Sequence, residues 1–334
     1  MVSYALRRLL LMVPTLLLIT AVIFAVVKLA PGNPFSAALS TGEGAVKQMN
    51  PEDYRSLLER YGLDRPWYVQ YGRWLKAAAT GSFGDSFLER RPVAEVLFSS
   101  QGSAFSRFGA TLLLNSLALA LMLGAALPVG VWAAVRADSL FDRASSLVLY
   151  GLYCLPSFWL AVLLIMSVGV KLGWLPFLGM RGEGYEALSP AGRLADILRH
   201  AALPAICLAA GGAAFLARFV RGALLEVIRM EHVRAARAKG LAERAVLLRH
   251  VLRNALIPLA TLVGLLLPAL ISGSVIVEQV FGWPGLGQLT IQAIYGRDYP
   301  VIMAVALLGA LAVLLSNLVT DLAYRWADPR VQVD

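Results

Sequence analysis

The chain has 334 residues, of which 58% are apolar and only 15% charged, with a mean hydropathy of +0.68. A water-exposed surface cannot be built from that composition, which excludes an ordinary pair of soluble domains. The formal net charge of +9 would suit nucleic acid, but the placement of the basic residues gives it a different origin, and nucleic-acid binding is not expected.

Uncharged stretches run over residues 9–27, 108–135, 144–170, 201–217, 254–277 and 299–320. Each is near or above the roughly 17 to 25 residues that cross a bilayer. A single charge at a helix centre costs about 2.5 to 3.5 kcal/mol on insertion scales, so six such windows predict an all-α integral membrane protein with about six transmembrane helices.

The first window follows Arg7 and Arg8 and is longer than the core of a secretory signal, with no small-x-small cleavage site behind it. It reads as a retained first helix, so that residues 1–30 form a short inner terminus and one span. Residues 31–107 are too long for a turn and read as a small helical lobe on the outer side. Asn50, Pro51, Glu52 and Asp53 supply a cap, an N1 proline and an acidic first turn, with Gly62 as the stop. A second lobe helix starts at Pro66, carries Trp67, Tyr71, Trp74, Leu75 and Ala78 on one face, and ends by Gly81.

Residues 108–325 form the remaining five-helix block and 326–334 a tail. With the N-terminus inside, the inner segments 1–8, 136–143, 218–254 and 325–334 hold 15 Lys and Arg against 7 acids. The outer segments 31–107, 171–199 and 278–300 hold 14 against 13. The basic excess therefore marks the first set as cytoplasmic, with both termini inside, and accounts for the net charge.

Cys154 and Cys207 fall inside expected spans and read as small packing residues. Asn115, Ser157, Ser272 and Ser274 offer polarity without charge, suited to helix contacts or to a solute pathway. Lys28, Arg218 and Asp321 lie at span ends, where each can reach the interface, and Asp321 can meet Arg325. At the outer entrance to the last span, Phe281 with Trp283-Pro284-Gly285-Leu286-Gly287 combines aromatics with residues that break helices. This suits either a bent segment lining an outer gate or a surface turn anchored by Trp283 at the headgroups. Glu278, Arg297 and Asp298 beside it are expected to pair at the interface.

The inner loop over 218–254 is longer than a simple connection needs. Glu231 to Lys239 reads as a short helix with an acid at its start, Arg237 and Lys239 in its last turn, and Gly240 as a left-handed stop. Ala242 to Leu256 reads as a second helix. Val233, Ala236 and Gly240 fall on one side and Arg234 and Arg237 on another, a small ridge flanked by charge that can lie in a partner's groove.

The stretch from Ala235-Ala236 to Gly240 resembles the cytoplasmic loop shared by permeases of ATP-binding-cassette importers, with Arg234 where that pattern has glutamate. Val233 to Leu241 followed by His250 to Pro258 is similar to the branch that imports di- and oligopeptides and nickel. Further stretches match that branch in order: Leu29-Ala30-Pro31-Gly32-Asn33-Pro34, Tyr61-Gly62-Leu63-Asp64, Gly81-Ser82-Phe83-Gly84, Pro156-Ser157-Phe158-Trp159-Leu160, Leu172-Gly173-Trp174-Leu175-Pro176, the 281–287 segment, Arg297-Asp298-Tyr299-Pro300 and Asp328-Pro329-Arg330.

The resemblance implies a type I importer permease fold and a coupling contact formed by Val233, Arg234, Ala235, Ala236, Arg237, Ala238, Lys239 and Gly240. It implies a second homologous permease subunit, two cytoplasmic ATPase subunits and an extracytoplasmic solute-binding protein as partners within the lipid bilayer of the cytoplasmic (inner) membrane. Peptides are the expected solute, with nickel or another small solute as the alternative. No cofactor, metal or catalytic residue is expected in this chain: none of its five lysines follows a glycine, so it lacks a P-loop and ATP with magnesium would belong to the partner subunits. A secondary transporter would need ionisable groups near mid-membrane, which the six windows lack. An intramembrane hydrolase would need a histidine or paired acids there, and His200, His232 and His250 lie at span edges or in loops. A membrane scaffold that recruits a soluble partner through the basic loop stays open on physical grounds.

Overall fold

The computed structural model describes residues 2–29, 64–100, 104–252 and 266–327, with scattered positions within 50–62 and 254–264. Regular structure among the described residues is helical, with an isolated antiparallel bridge between Asp85 and Pro92. The helices in chain order are α1 (Val2–Leu29), α2 (Trp67–Ala79), α3 (Val93–Phe98), α4 (Arg107–Val135), α5 (Leu140–Cys154), α6 (Ser157–Leu164), α7 (Pro190–Ile228), α8 (Glu231–Ala238), α9 (Glu243–Ala245), α10 (Ala269–Ser272), α11 (Val275–Val280), α12 (Leu286–Tyr295) and α13 (Tyr299–Ala327). They fall into two compact units.

The first unit comprises Met1–Thr111, Ile271–Val275 and Pro284–Leu315. The Glu52 N–H bonds the Asn50 side chain at 3.4 Å and Gly62 has φ +65°, the cap and stop read from the sequence; the residues between lie largely outside the described set. Helix α2 starts after Pro66 and stops before Gly81, whose φ of +76° suits a residue without Cβ. Its Tyr71, Trp74, Leu75 and Ala78 pack against Phe24, Ile23 and Val27 of α1 and Met303 and Leu307 of α13. Tyr71 Oη and Thr20 Oγ1 lie 2.9 Å apart. The stripe is thus core packing, except Trp67, which is mostly exposed. Val93, Val96 and Leu97 of α3 are buried against Leu286 and Leu289 of α12 and Val301 and Ala304 of α13, worth about 1.5–3 kcal/mol per side chain.

The second unit comprises Leu112–Leu270, Ile276–Trp283 and Ser316–Asp334. Small residues set its spacing: a Cβ on Gly130 of α4 would lie 2.6 Å from the Ala217 carbonyl oxygen of α7, so the two backbones touch there. Helix α7 runs for 39 residues from Pro190, with the Ser189 hydroxyl accepting the Gly192 N–H at 3.2 Å. At 1.5 Å per residue it is about 58 Å long and continues well past any bilayer core.

Four described helices are long and apolar enough to cross a membrane, in α1, α4, α7 and α13, and a fifth span is available if the pair 140–154 and 157–171 is counted as one. That pair covers the window read as a single span from 144 to 170. It is bent by 104° because Pro156 has no N–H to give the helix and forces Leu155 out of helical angles, to φ −77°, ψ 125°. Hydropathy does not register the break, since Leu155 and Pro156 carry no charge. A π-helical turn over Ile165–Lys171 extends α6. The remaining window, 254–277, lies partly outside the described residues; its described end forms α10 and α11, separated at Gly273 by a φ of +71°.

Candidate functional site

Helix α8 is built as its sequence predicts. Glu231 stands in the first turn and Arg237 in the last, complementing the helix dipole. Gly240 closes it at φ +76°, its N–H bonded to the Arg237 carbonyl at 2.9 Å. The burial pattern changes the expected use of its faces. Val233 has no exposed surface and Ala236 only 5%. They sit in a cluster with Met122, Ala126 and Ala134 of α4, Leu216, Val220 and Leu224 of α7, and Val246 and Val251. Val233 and Ala236 of the ridge read as an offer to a partner therefore face the chain's own spans, where the apolar surface lies, while Gly240 stays exposed. The outward face carries Arg234, Ala235, Arg237, Ala238, Lys239 and Gly240, all exposed.

Three polar braces hold this end of the unit. Arg237 crosses the Gly240 turn to Glu243 with a forked pair, Nε to Oε2 at 3.1 Å and Nη2 to Oε1 at 2.5 Å. The hydrogen bonds from Arg237 hold the Glu243 carboxyl below its ordinary value, against a smaller opposing effect of desolvation. Asn254 Nδ2 lies 3.0 Å from His232 Nε2 and donates to the His250 carbonyl at 2.8 Å. The expected second loop helix is the short α9, continued by a π-helical turn over Val246–Leu252.

The third brace joins residues far apart in the sequence. Asp142, 3% exposed, accepts Nε and Nη2 of Arg221, both at 2.6 Å, and the Asp138 N–H at 2.9 Å. It ties the loop before α5 to α7. The spacing from Ser139 to Asp142 carries a capping signal, and the Ser139 hydroxyl indeed accepts the Asp142 N–H at 3.3 Å. Nothing local points to Arg221, 79 positions away. Arg218, expected to reach the interface, stacks over Tyr150 at 3.9 Å from the ring centroid. The side chains of Asp321 and Arg325 lie outside the described residues.

The 281–287 residues divide between two packing environments. Phe281 is 1% exposed and Trp283 fully buried; Gly282, at φ +61°, turns the chain so that the Trp283 N–H meets the Glu278 carbonyl at 2.8 Å. Trp283 is consequently no headgroup anchor. Pro284 and Gly285 lead into α12, with Gly285 at its N-cap. Leu286 and Gly287 are buried in its first turn, and the Leu286 N–H donates to Thr111 Oγ1 at 2.7 Å. Asp298, expected to pair at an interface, is 1% exposed. Its carboxylate accepts the Ser86 hydroxyl and the N–H groups of Phe87 and Leu88 at 3.1 and 3.2 Å.

Of the candidate pathway residues, Asn115 is held by hydrogen bonds to the backbone. Asn115 Nδ2 donates to the Ala269 and Leu270 carbonyls at 2.7 and 3.2 Å, holding α10. Ser157 is exposed at the start of α6, where its carbonyl accepts Cys207 Sγ at 3.3 Å. Ser274 is half-buried and the side chain of Ser272 lies outside the described residues. Cys154 and Cys207 are both free thiols.

Described helices long and apolar enough to cross a membrane, with a short basic helix following one of them, define a polytopic membrane protein. Residues 126–333 match the binding-protein-dependent transport system inner membrane component family, and residues 1–106 match the N-terminal membrane component of the same systems. The chain belongs to this family of ABC importer permeases, multi-pass proteins of the inner membrane. It is 38% identical over 333 residues to the oligopeptide transport system permease protein of Bacillus subtilis, covering 99% of this chain and 100% of that one. It is 39% identical to the di/tripeptide transport system permease of Pseudomonas aeruginosa, covering 99% of each. The glutathione transport system permease of Escherichia coli is 38% identical, again over 99% of each chain. Among solved structures, the inward-facing methionine ABC transporter MetNI matches with a TM-score of 0.52 and 25% identity, over 66% of this chain and 94% of that one.

Proposed function

We propose that this permease forms the pathway for di- and oligopeptides, with ATP hydrolysed by separate cytoplasmic subunits that dock on the outward face of α8. The observation that carries the coupling reading is the anchoring of Val233 and Ala236 among α4, α7 and the 246–252 turn. A force applied to Arg234, Ala235, Ala238 and Lys239 is transmitted through those two side chains to the inner ends of the spans. The Arg237–Glu243 fork keeps α8 and α9 moving together across Gly240. Coupling needs a stiff connection of this kind between a docking face and the elements that move.

The peptide reading rests on the solutes named for the relatives, two of them peptides and one glutathione, itself a tripeptide derivative. The proposed assembly has a second homologous permease, two ATPase subunits that hold ATP and magnesium, and an extracytoplasmic binding protein that delivers the solute, with the lobe at 31–107 as a docking surface. The basic excess of segments 1–8, 136–143, 218–254 and 325–334 supports an orientation with both termini inside. The outer-gate role proposed for Phe281, Trp283, Pro284, Gly285, Leu286 and Gly287 requires these mostly packed residues to move, whereas Asn115 serves helix packing in the conformation described.

The test is purification with associated subunits, followed by uptake in proteoliposomes. ATP-dependent accumulation of a peptide delivered by the co-purified binding protein is expected. Recovery without any ATPase subunit, or uptake driven by a proton gradient alone, would count against the reading.

A further inference from the structure

The second unit holds a cavity of about 500 Å³ between α4, α7 and the 246–252 turn, lined among others by Leu127, Val131, Trp132, Val220, Leu247 and Leu252. None of its lining residues carries a charge or a hydroxyl. Among the lining side chains a water-soluble solute would find a single hydrogen-bonding group, the Trp132 indole N–H, whereas small-molecule sites normally supply several polar groups that fix orientation.

The position along α4 identifies what fits. Trp132 is exposed at the end of the span and Arg136 follows one turn later, its guanidinium 5.6 Å above the Trp132 ring. That pairing of an aromatic with a cation is the pattern of a span's interfacial end. From Arg136 back to Leu127 the helix rises about 13 Å, so the cavity reaches from the interface into hydrocarbon depth. Arg136 is itself exposed beside that ring, whereas the charge of Arg221 is neutralised by Asp142. The rim is therefore cationic and the interior apolar, which complements an anionic amphiphile.

We propose that this cavity binds one acyl chain of an anionic phospholipid from the bilayer leaflet at the Arg136 end, with the lipid phosphate at Arg136. Only the naming of that leaflet as cytoplasmic depends on the orientation given above. Because Leu247 and Leu252 flank α8's own anchor residues in the same packed cluster, an occupied cavity would stiffen the end of the unit that carries α8.

The experiment is native mass spectrometry of the purified complex after delipidation, titrated separately with phosphatidylglycerol and phosphatidylcholine. Wild-type protein is expected to retain one phosphatidylglycerol per permease in preference to phosphatidylcholine. Ala223→Phe and Val131→Phe, which fill the cavity from different helices, are each expected to weaken that retention about tenfold. Arg136→Ala should remove the preference between the two lipids. Having two filling variants guards against misfolding of one. Equal retention by wild type and both filling variants would overturn the proposal, as would efficient cross-linking of Val131→Cys to the second permease subunit. These outcomes do not depend on whether the complex transports peptide.

Discussion

Replacing Val233 by alanine removes two methyl groups from a side chain with no exposed surface. At about 0.8 kcal/mol per buried carbon the transfer loss is about 1.6 kcal/mol, and the cavity left behind raises it to about 2 kcal/mol. Alanine's better helix propensity returns a few tenths of a kcal/mol. Only Val233 and Ala236 of α8 are buried, so nearly the whole loss falls on the docking of this one helix. An undocking equilibrium shifted by about 2 kcal/mol changes by roughly thirtyfold. Hydrogen exchange over residues 231–241 should accelerate by about that factor, while exchange in α7 should not change. In proteoliposomes the number of ATP molecules hydrolysed per solute imported should rise, because the ATPase would push a helix no longer joined to the spans. If exchange accelerates as calculated but the ratio of ATP to solute stays at the wild-type value, the mechanical role given to Val233 is wrong.

Asp142→Ala would strand Arg221 and the Asp138 N–H at a part-buried site, lowering stability by about 2–3 kcal/mol; the double variant with Arg221→Ala should lose less than the sum of the singles, as thermal unfolding would show. Asp298→Ala leaves three donors from Ser86, Phe87 and Leu88 without their acceptor, so about 3 kcal/mol or more is expected, with limited proteolysis near 86–90 as the readout. Gly240→Ala places a Cβ at φ +76° where no neighbouring atom lies within 4 Å. The cost is backbone strain alone, about 1–2 kcal/mol, and Gly240→Asn should be milder in the same exchange assay. The Arg237–Glu243 fork has a sign that can be checked: the depressed Glu243 carboxyl means its contribution is complete above the ordinary value of 4.5 and fades only as pH falls below it. Protection of α8 should accordingly be flat from neutral pH down to about 5.

Hydropathy sufficed for α1, α4, α7 and α13 because membrane insertion is a property of single segments, decided by length and charge. The limits of α8 were equally legible, since acid at the start, base at the end and glycine at the stop act within one or two turns. Pro156 shows where such reading weakens: it belongs to a recognisable motif, yet its effect on the preceding helix is geometric and invisible to a hydropathy window. Burial was the larger blind spot. An exposed Trp283 and a buried one have the same sequence, and the choice is made by Gly282 and by packing partners distant in the chain. Asp298 with Ser86 and Asp142 with Arg221 are separated by 212 and 79 positions, so no local pattern joins them. The same lack of long-range information turned the Val233–Ala236 ridge outward on paper when the structure packs it inward.

Placing a cysteine on the outward face of α8 through Arg234→Cys, and cross-linking it within the purified complex, tests the proposed coupling most directly. The account predicts a reducible cross-link to an ATPase subunit that stops ATP-driven uptake and releases it on reduction, with no such product from a cysteine at exposed Leu178. Cross-linking to the ATPase that leaves uptake intact, or an ATPase found only at other inner segments, would contradict it.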